Sequence, residues 1–205
     1  MPKNVTYCLN YYILIIIVKA GVFNLKKVEP IRSKEKIEAM KDELLKSGFR
    51  NYLLFVVGIN TGLRISDLLN LKVKDVKDKT HIFIEEEKTG KTKKFLINNK
   101  LKQDLDRYTD KMYDHEYLFK SQKGTNQPIS RVQAYRILKK AGKKLDLDSV
   151  GTHTLRKTFG YWHYQQYKDV ALLQELFNHS APSVTLDYIG INQEVMDKTI
   201  ENFYL

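Results

Sequence analysis

From Ser33 onward, apolar residues recur at helical spacing. Ile37, Met40, Leu44 and Leu45 define one face, Ser33 suits an N-cap with Glu35 in the first turn, and Gly48 ends the segment. A second helix over about residues 51–60 is apolar nearly all round, which predicts a central position in the core. Gly62 breaks it, and a short helix capped by Ser66 is expected to carry Leu68, Leu69 and Leu71. The period then changes. His81–Glu87 and Thr92–Ile97 read as strands joined through Lys88-Thr89-Gly90-Lys91, a β-hairpin with a glycine-containing turn. Helical spacing returns over about 99–112, with Leu101, Leu105, Tyr108 and Met112 on one face. Residues 121–128 are rich in turn formers, and Ser130 opens a basic helix to about Leu145. Four more helices are expected: about 155–166, 170–177 after an Asp169 cap, 184–189 after a Ser183 cap, and 193–202. The pattern predicts an α+β fold, mainly helical, with a small antiparallel β-sheet near the middle.

The first 28 residues differ from the rest. The run Tyr11–Val18 is the most hydrophobic in the chain, but a transmembrane helix needs roughly 20 apolar residues. Lys3 and Ala20-Gly21 loosely imitate a signal peptide, although Lys19 follows the apolar run directly. A strand, an oligomerisation element or a non-native leader fits better. We therefore divide the chain into an N-terminal extension, residues 1–28, and a domain over residues 29–205.

Composition narrows the function. Of the 205 residues, Lys and Arg number 35 against 24 Asp and Glu, a net charge of +11. That excess points to a polyanion, with nucleic acid first. A single cysteine, Cys8, excludes an intrachain disulfide framework and a Cys-based zinc site, and suits a reducing cytoplasm. Neither a phosphate-binding G-x-x-x-x-G-K-[ST] loop nor H-E-x-x-H nor G-x-S-x-G occurs. Phosphate-handling residues remain. Arg64 stands at a helix junction in Thr61–Asp67, and His153 and Arg156 lie three apart on one helical face. His179 follows a helix end, and Tyr188 comes nine residues later. Arginine offers a planar, permanently charged fork to phosphate oxygens, and two such groups would stabilise charge that builds there in a transition state.

These segments resemble the three boxes of the tyrosine recombinase (phage integrase) family. TGLRISDLL resembles T-G-L-R-x-S-E-L, HTLRKTF resembles H-x-L-R-H-T-F, and ELFNHSAPSVTLDY resembles L-G-H-S-S-x-x-T-T-x-x-Y. Their order, with a basic hairpin between the first and second, strengthens the likeness. The resemblance implies a tyrosine recombinase catalytic-domain fold and DNA strand cleavage and rejoining through a covalent 3′-phosphotyrosine, with no cofactor, metal or ATP. It implies Arg64 and Arg156 as the phosphate clamp and His153 as general base or acid. His179 becomes the donor to a phosphate oxygen, and Tyr188 the nucleophile. A hairpin lysine serves the family as general acid; Lys88 matches that place best and Lys91 competes with it. Asp67 matches the acidic position of the first box, in support of Arg64 or of the histidine side. Lys91, Lys93 and Lys94 are expected to touch DNA. The chemistry agrees with the residues: a phenol with a pKa near 10 needs a base such as histidine, and the covalent phosphodiester conserves bond energy.

The chain also departs from the family pattern. Too few residues precede the catalytic domain to form the usual N-terminal DNA clamp, so it reads as a minimal protein or a fragment. Asn178 replaces a glycine before His179, where Asn's tolerance of left-handed backbone should suffice. Lys157 replaces the second histidine of the H-x-L-R-H box. The expected partners are double-stranded DNA, further copies in a DNA-bound tetramer on which residues 191–205 could dock, and an accessory DNA-bending or directionality factor, with no membrane. Two other functions compete with recombination: relaxation like a type IB topoisomerase, and a catalytically silent DNA-binding regulator of a mobile element.

Overall fold

The computed structural model describes residues 28–85, 92–191, 200, 201, 203 and 204. The N-terminal extension through residue 27, the hairpin turn with Lys88 and Lys91, and most of the expected last helix lie outside the described residues.

Eight α-helices and one hairpin are described: α1 (Lys34–Lys46), α2 (Phe49–Thr61), α3 (Ile65–Asn70), β1 (His81–Glu85), β2 (Thr92–Leu96), α4 (Asn99–Thr109), α5 (Arg131–Lys143), α6 (Thr152–Tyr167), α7 (Val170–Phe177) and α8 (Pro182–Ile189). Local chemistry sets most of the starts. Ser33, Asn98, Ser130 and Asp169 each accept a hydrogen bond from a backbone N–H three residues on. Three expected starts move. Arg64 rather than Ser66 is the N-cap of α3, and Ala181 rather than Ser183 that of α8. In α8 the first helical residue is Pro182, whose fixed φ and missing N–H suit that position. Helix α6 begins three residues earlier than its apolar pattern suggests. Gly151 caps it, and the Gly151 N–H donates to Thr154 Oγ1 at 2.9 Å. His153 therefore lies inside the first turn of the helix.

Helix α2 is the centre of the fold, as its apolar surface predicts. Leu53, Leu54, Phe55 and Val57 have no exposed surface. Helices α1, α4 and α6 all pack on it. Gly58 lets α6 come close: a Cβ there would stand 2.6 Å from Leu155 Cδ1. The hairpin pairs His81 with Leu96 through Glu85 with Thr92, antiparallel, and Ile82 is its buried anchor. Trp162 packs against the core, and its Nε1–H donates to Ile31 O at 2.9 Å.

The buried apolar residues form two clusters. The larger runs from Ile31 to Leu155 and includes α1, α2, the hairpin, α4 and α5. The smaller has four fully enclosed residues, Leu173, Phe177, Ile189 and Ile191, with Phe159, Tyr164 and Tyr188 packed against it. Helix α6 borders both. At Gly160 a Cβ would come within 2.7 Å of Phe177 and Ile189, so the absence of a side chain is what lets α7 and α8 close onto α6.

Candidate active site

Five of the expected residues converge. Arg64, His153, Arg156, His179 and Tyr188 line one cavity of about 270 Å³, with Ser66, Arg131 and Thr152 beside them. This space is smaller than a typical drug-sized ligand pocket and suits a compact anion.

Each side chain arrives by a local device. Gly62 ends α2 in the left-handed conformation (φ 65°), where a Cβ would stand 2.4 Å from the Phe159 ring. The chain thus turns sharply and leaves Arg64 exposed at the start of α3. His153 and Arg156 project from the first two turns of α6. His179 is placed by a Schellman motif: Asn178 is left-handed (φ 53°), its N–H donates to Glu175 O, and the His179 N–H donates to Gln174 O. The expected tolerance of Asn at this turn is met. Tyr188 sits at the end of α8, edge-on to Phe177 (5.6 Å, 79°) and to His179 (5.1 Å, 70°).

Arg156 is 7% exposed. Its Nη1 donates to Gly62 O at 2.5 Å and its Nη2 to Phe177 O at 2.9 Å, and the guanidinium lies 4.2 Å from the Phe177 ring centroid. Burial above all, then the charge of Arg64, lowers its pKa to about 10, while Tyr188 and Asp67 oppose that shift. It is charged at neutral pH. Two of its five N–H donors are held by carbonyls and another faces the Tyr188 hydroxyl, which leaves two for a ligand. Asp67, partly buried, accepts from Ser66 Oγ and acts electrostatically on Arg156.

The Tyr188 hydroxyl is 3.5 Å from His153 Nδ1 and sits against the Arg156 guanidinium. Burial pushes the phenol pKa up, and Arg156 and Arg64 pull it partly back. Desolvation first, then the charges of Lys157, Arg156 and Arg131, holds His153 below its usual value. His179 is lowered in the same way, by burial and then by Arg156, Arg64 and Lys93. Both imidazoles are thus neutral at neutral pH, and the phenol keeps its proton.

The hairpin lysines divide. Lys93 turns inward: its Nζ donates to Glu175 O at 2.9 Å, at the end of α7. Lys94 is exposed and lies over the Phe83 ring. Two residues near the site had no assigned role in the sequence. Thr185, fully buried, places its hydroxyl 3.0 Å from His179 Nδ1. Lys157 lies beneath Tyr188. Both fall within the quoted boxes, so the only available signal was position. Among the described residues no cluster of His, Cys, Asp and Glu could hold a metal ion, and no helix is long and apolar enough to cross a membrane.

Comparison with known proteins shows the family and the fold. The family model described as "Phage integrase family" matches residues 32–194. The chain belongs to the phage integrase family. A probable integrase/recombinase of Bacillus subtilis, YoeC, is 54% identical over 167 residues, which cover 82% of this chain and 92% of that protein. The tyrosine recombinase XerA of Pyrococcus furiosus is 27% identical across 82% of this chain, but the match covers only 60% of XerA. Among solved structures, a XerA recombinase crystal structure superposes with a TM-score of 0.69 at 22% identity, over 86% of this chain and 67% of that one. A post-cleavage complex of the XerH site-specific recombinase bound to palindromic difH substrate gives 0.65 at 21% identity, over 86% and 54%. The fold is that of a tyrosine recombinase catalytic domain.

Proposed function

We propose that this phage integrase family member is a site-specific DNA recombinase that cuts and reseals double-stranded DNA through a 3′-phosphotyrosine at Tyr188. The observation that carries this reading is the meeting of the Tyr188 hydroxyl with His153 and Arg156 in a cavity also lined by Arg64 and His179.

In the proposed step, a phosphodiester occupies the cavity between Arg64 and the remaining donors of Arg156. Tyr188 Oη attacks phosphorus as its proton passes to His153. Charge grows on the non-bridging oxygens, where the arginines and His179 Nε2 stabilise it. If Thr185 donates its hydroxyl proton to His179 Nδ1, the imidazole carries its own proton on Nε2, the side left for the phosphate. The bond from phosphorus to the 5′-oxygen breaks, and a hairpin lysine protonates the departing hydroxyl. Attack by a 5′-hydroxyl on the phosphotyrosine reverses the sequence and joins the strands. Each step exchanges one phosphodiester for another, so no external energy source enters. Strand exchange between two sites calls for four copies on DNA, with a DNA-bending or directionality factor as a further partner and the cytoplasm as the place of action.

The test uses nicked duplexes with randomised arms, from which a cleaved 3′ end cannot be resealed. An SDS-stable protein–DNA adduct should form with the wild type and vanish in Tyr188→Phe; sequencing the trapped DNA then reports the site. Absence of any adduct would favour a binding-only protein, and relaxation of plasmid without strand exchange would favour a topoisomerase-like role. For the general acid, a 5′-bridging sulfur substitution supplies a leaving group that needs little protonation, because a thiol is far more acidic than an alcohol. Lys88→Ala should be slow on the oxygen substrate and near wild type on the sulfur one. The same rescue in Lys91→Ala instead would move the role to Lys91.

A further inference from the structure

Lys157 is 5% exposed. Lysine is among the side chains least often buried, so the position needs a reason. It lies on α6 one turn after His153 and next to Arg156 in sequence, and its Nζ stands 5.2 Å from the centroid of the Tyr188 ring, over its face. An ammonium over an aromatic face is attracted to the ring's electrons. The attraction grows as the ring takes on phenolate character, so this contact favours the attacking form of Tyr188 over its resting form.

We infer that Lys157 is a positioning residue for the proposed cleavage step, one that holds the ring of Tyr188 and offsets the charge developing on it during attack. The inference rests on the recombinase reading given above. Its second effect falls on His153, where Lys157 is the foremost of the charges that keep the imidazole neutral; Arg156 and Arg131 face the same ring. Among the described residues, the other cations acting on Tyr188 are Arg156 and Arg64, with Asp67 facing Arg156. Lys157 is thus the one among these cations that addresses the face of the tyrosine ring rather than the phosphate end of the cavity.

Lys157→Met keeps the length and most of the volume of the side chain and removes the charge, and Lys157→Arg keeps the charge. Adduct formation on the nicked duplexes, at saturating DNA and across pH 5 to 9, should fall about tenfold at its plateau in Lys157→Met. The half-saturating DNA concentration should stay within about twofold, and the rising limb should move to higher pH by about half a unit. Lys157→Arg should return the plateau to within about threefold of wild type. Unchanged plateau and limb in Lys157→Met, or a Lys157→Arg variant as slow as Lys157→Met, would overturn the inference and leave a packing role. NMR titration of the histidine rings gives a second readout that needs no cleavage. The His153 signal, assigned by its loss in His153→Gln, should titrate at higher pH in Lys157→Met. If that shift is seen while the wild type forms no adduct, the recombinase reading fails and the electrostatic coupling stands. If the shift is absent, the coupling itself is refuted.

Discussion

The two hydrophobic clusters carry different halves of the site. Arg64 stands at the start of α3 on the large cluster, where most of α2 is buried. His179 and Tyr188 ride on the small one, in which four of the described residues are buried. Local opening is cheap where few apolar contacts are lost, so the small cluster should be the more mobile by a wide margin. That division suits an enzyme whose phosphate clamp must be rigid and whose nucleophile must reach a substrate and later release it. Arg156 joins the two parts. Its hydrogen bonds to Gly62 O and Phe177 O tie the end of α2 to the end of α7, so the residue that would hold the phosphate also holds the platform of the proposed nucleophile in place.

The largest break in this arrangement should come from Arg156→Ala. Two buried carbonyls lose their donors, at about 1–3 kcal/mol each, and the proposed phosphate site loses its deepest charge. Adduct formation should fall on the order of 10³-fold or more. Arg156→Lys, which keeps the charge but not the fork, should recover only part of the loss in both thermal unfolding and adduct assays. Next comes Gly160→Ala, whose new methyl group must push Phe177 or Ile189 aside at about 1–3 kcal/mol. Hydrogen exchange should show amides of α7 and α8 exchanging faster while those of α2 keep their protection. Equal loosening of α2 would mean the clusters are not separable. Thr185→Val removes the hydroxyl beside His179 Nδ1 and should cost about 1 kcal/mol in stability, with adduct formation down roughly tenfold.

Acid gives the mildest and most selective probe. His153, His163 and His179 all have folded-state pKa values lowered by burial first. Such groups bind protons more readily when unfolded, so their contribution is complete above the unfolded value near 6.5 and is lost as pH falls through the lowered folded values. His163 and His179 pack on Phe159 and Phe177 of the small cluster. Acidification from pH 7 toward 5 should therefore release α7 and α8 before α2, as exchange protection followed against pH would show. His163→Phe should blunt the effect by removing one of the three titrating rings.

Much of this was readable in the chain. Ser33, Asn98, Ser130 and Asp169 are caps that act within three residues. The helical spacing of Leu101 and Leu105, the alternating strand patterns and the left-handed tolerance of Asn178 are equally local. Where the reading slipped, a local cue was misjudged: Ser66 and Ser183 were expected as caps, but the turn at Gly62 and the proline at 182 start those helices earlier. The resemblance of the three boxes brought together Arg64, His153, Arg156, His179 and Tyr188, and the cavity contains all five.

What the chain could not show by itself is where each side chain spends its bonds. Arg156 binds carbonyls 94 and 21 residues away, Lys93 reaches Glu175 across 82, and Lys157 finds the face of Tyr188 rather than solvent. The sequence determined which residues are chemically able to serve and which helices present them, because capping and periodicity are properties of neighbouring residues. The tertiary structure decided which charge lines the cavity, which one backs the tyrosine ring and which is tied to backbone, because those choices depend on how closely α6, α7 and α8 pack around Gly160.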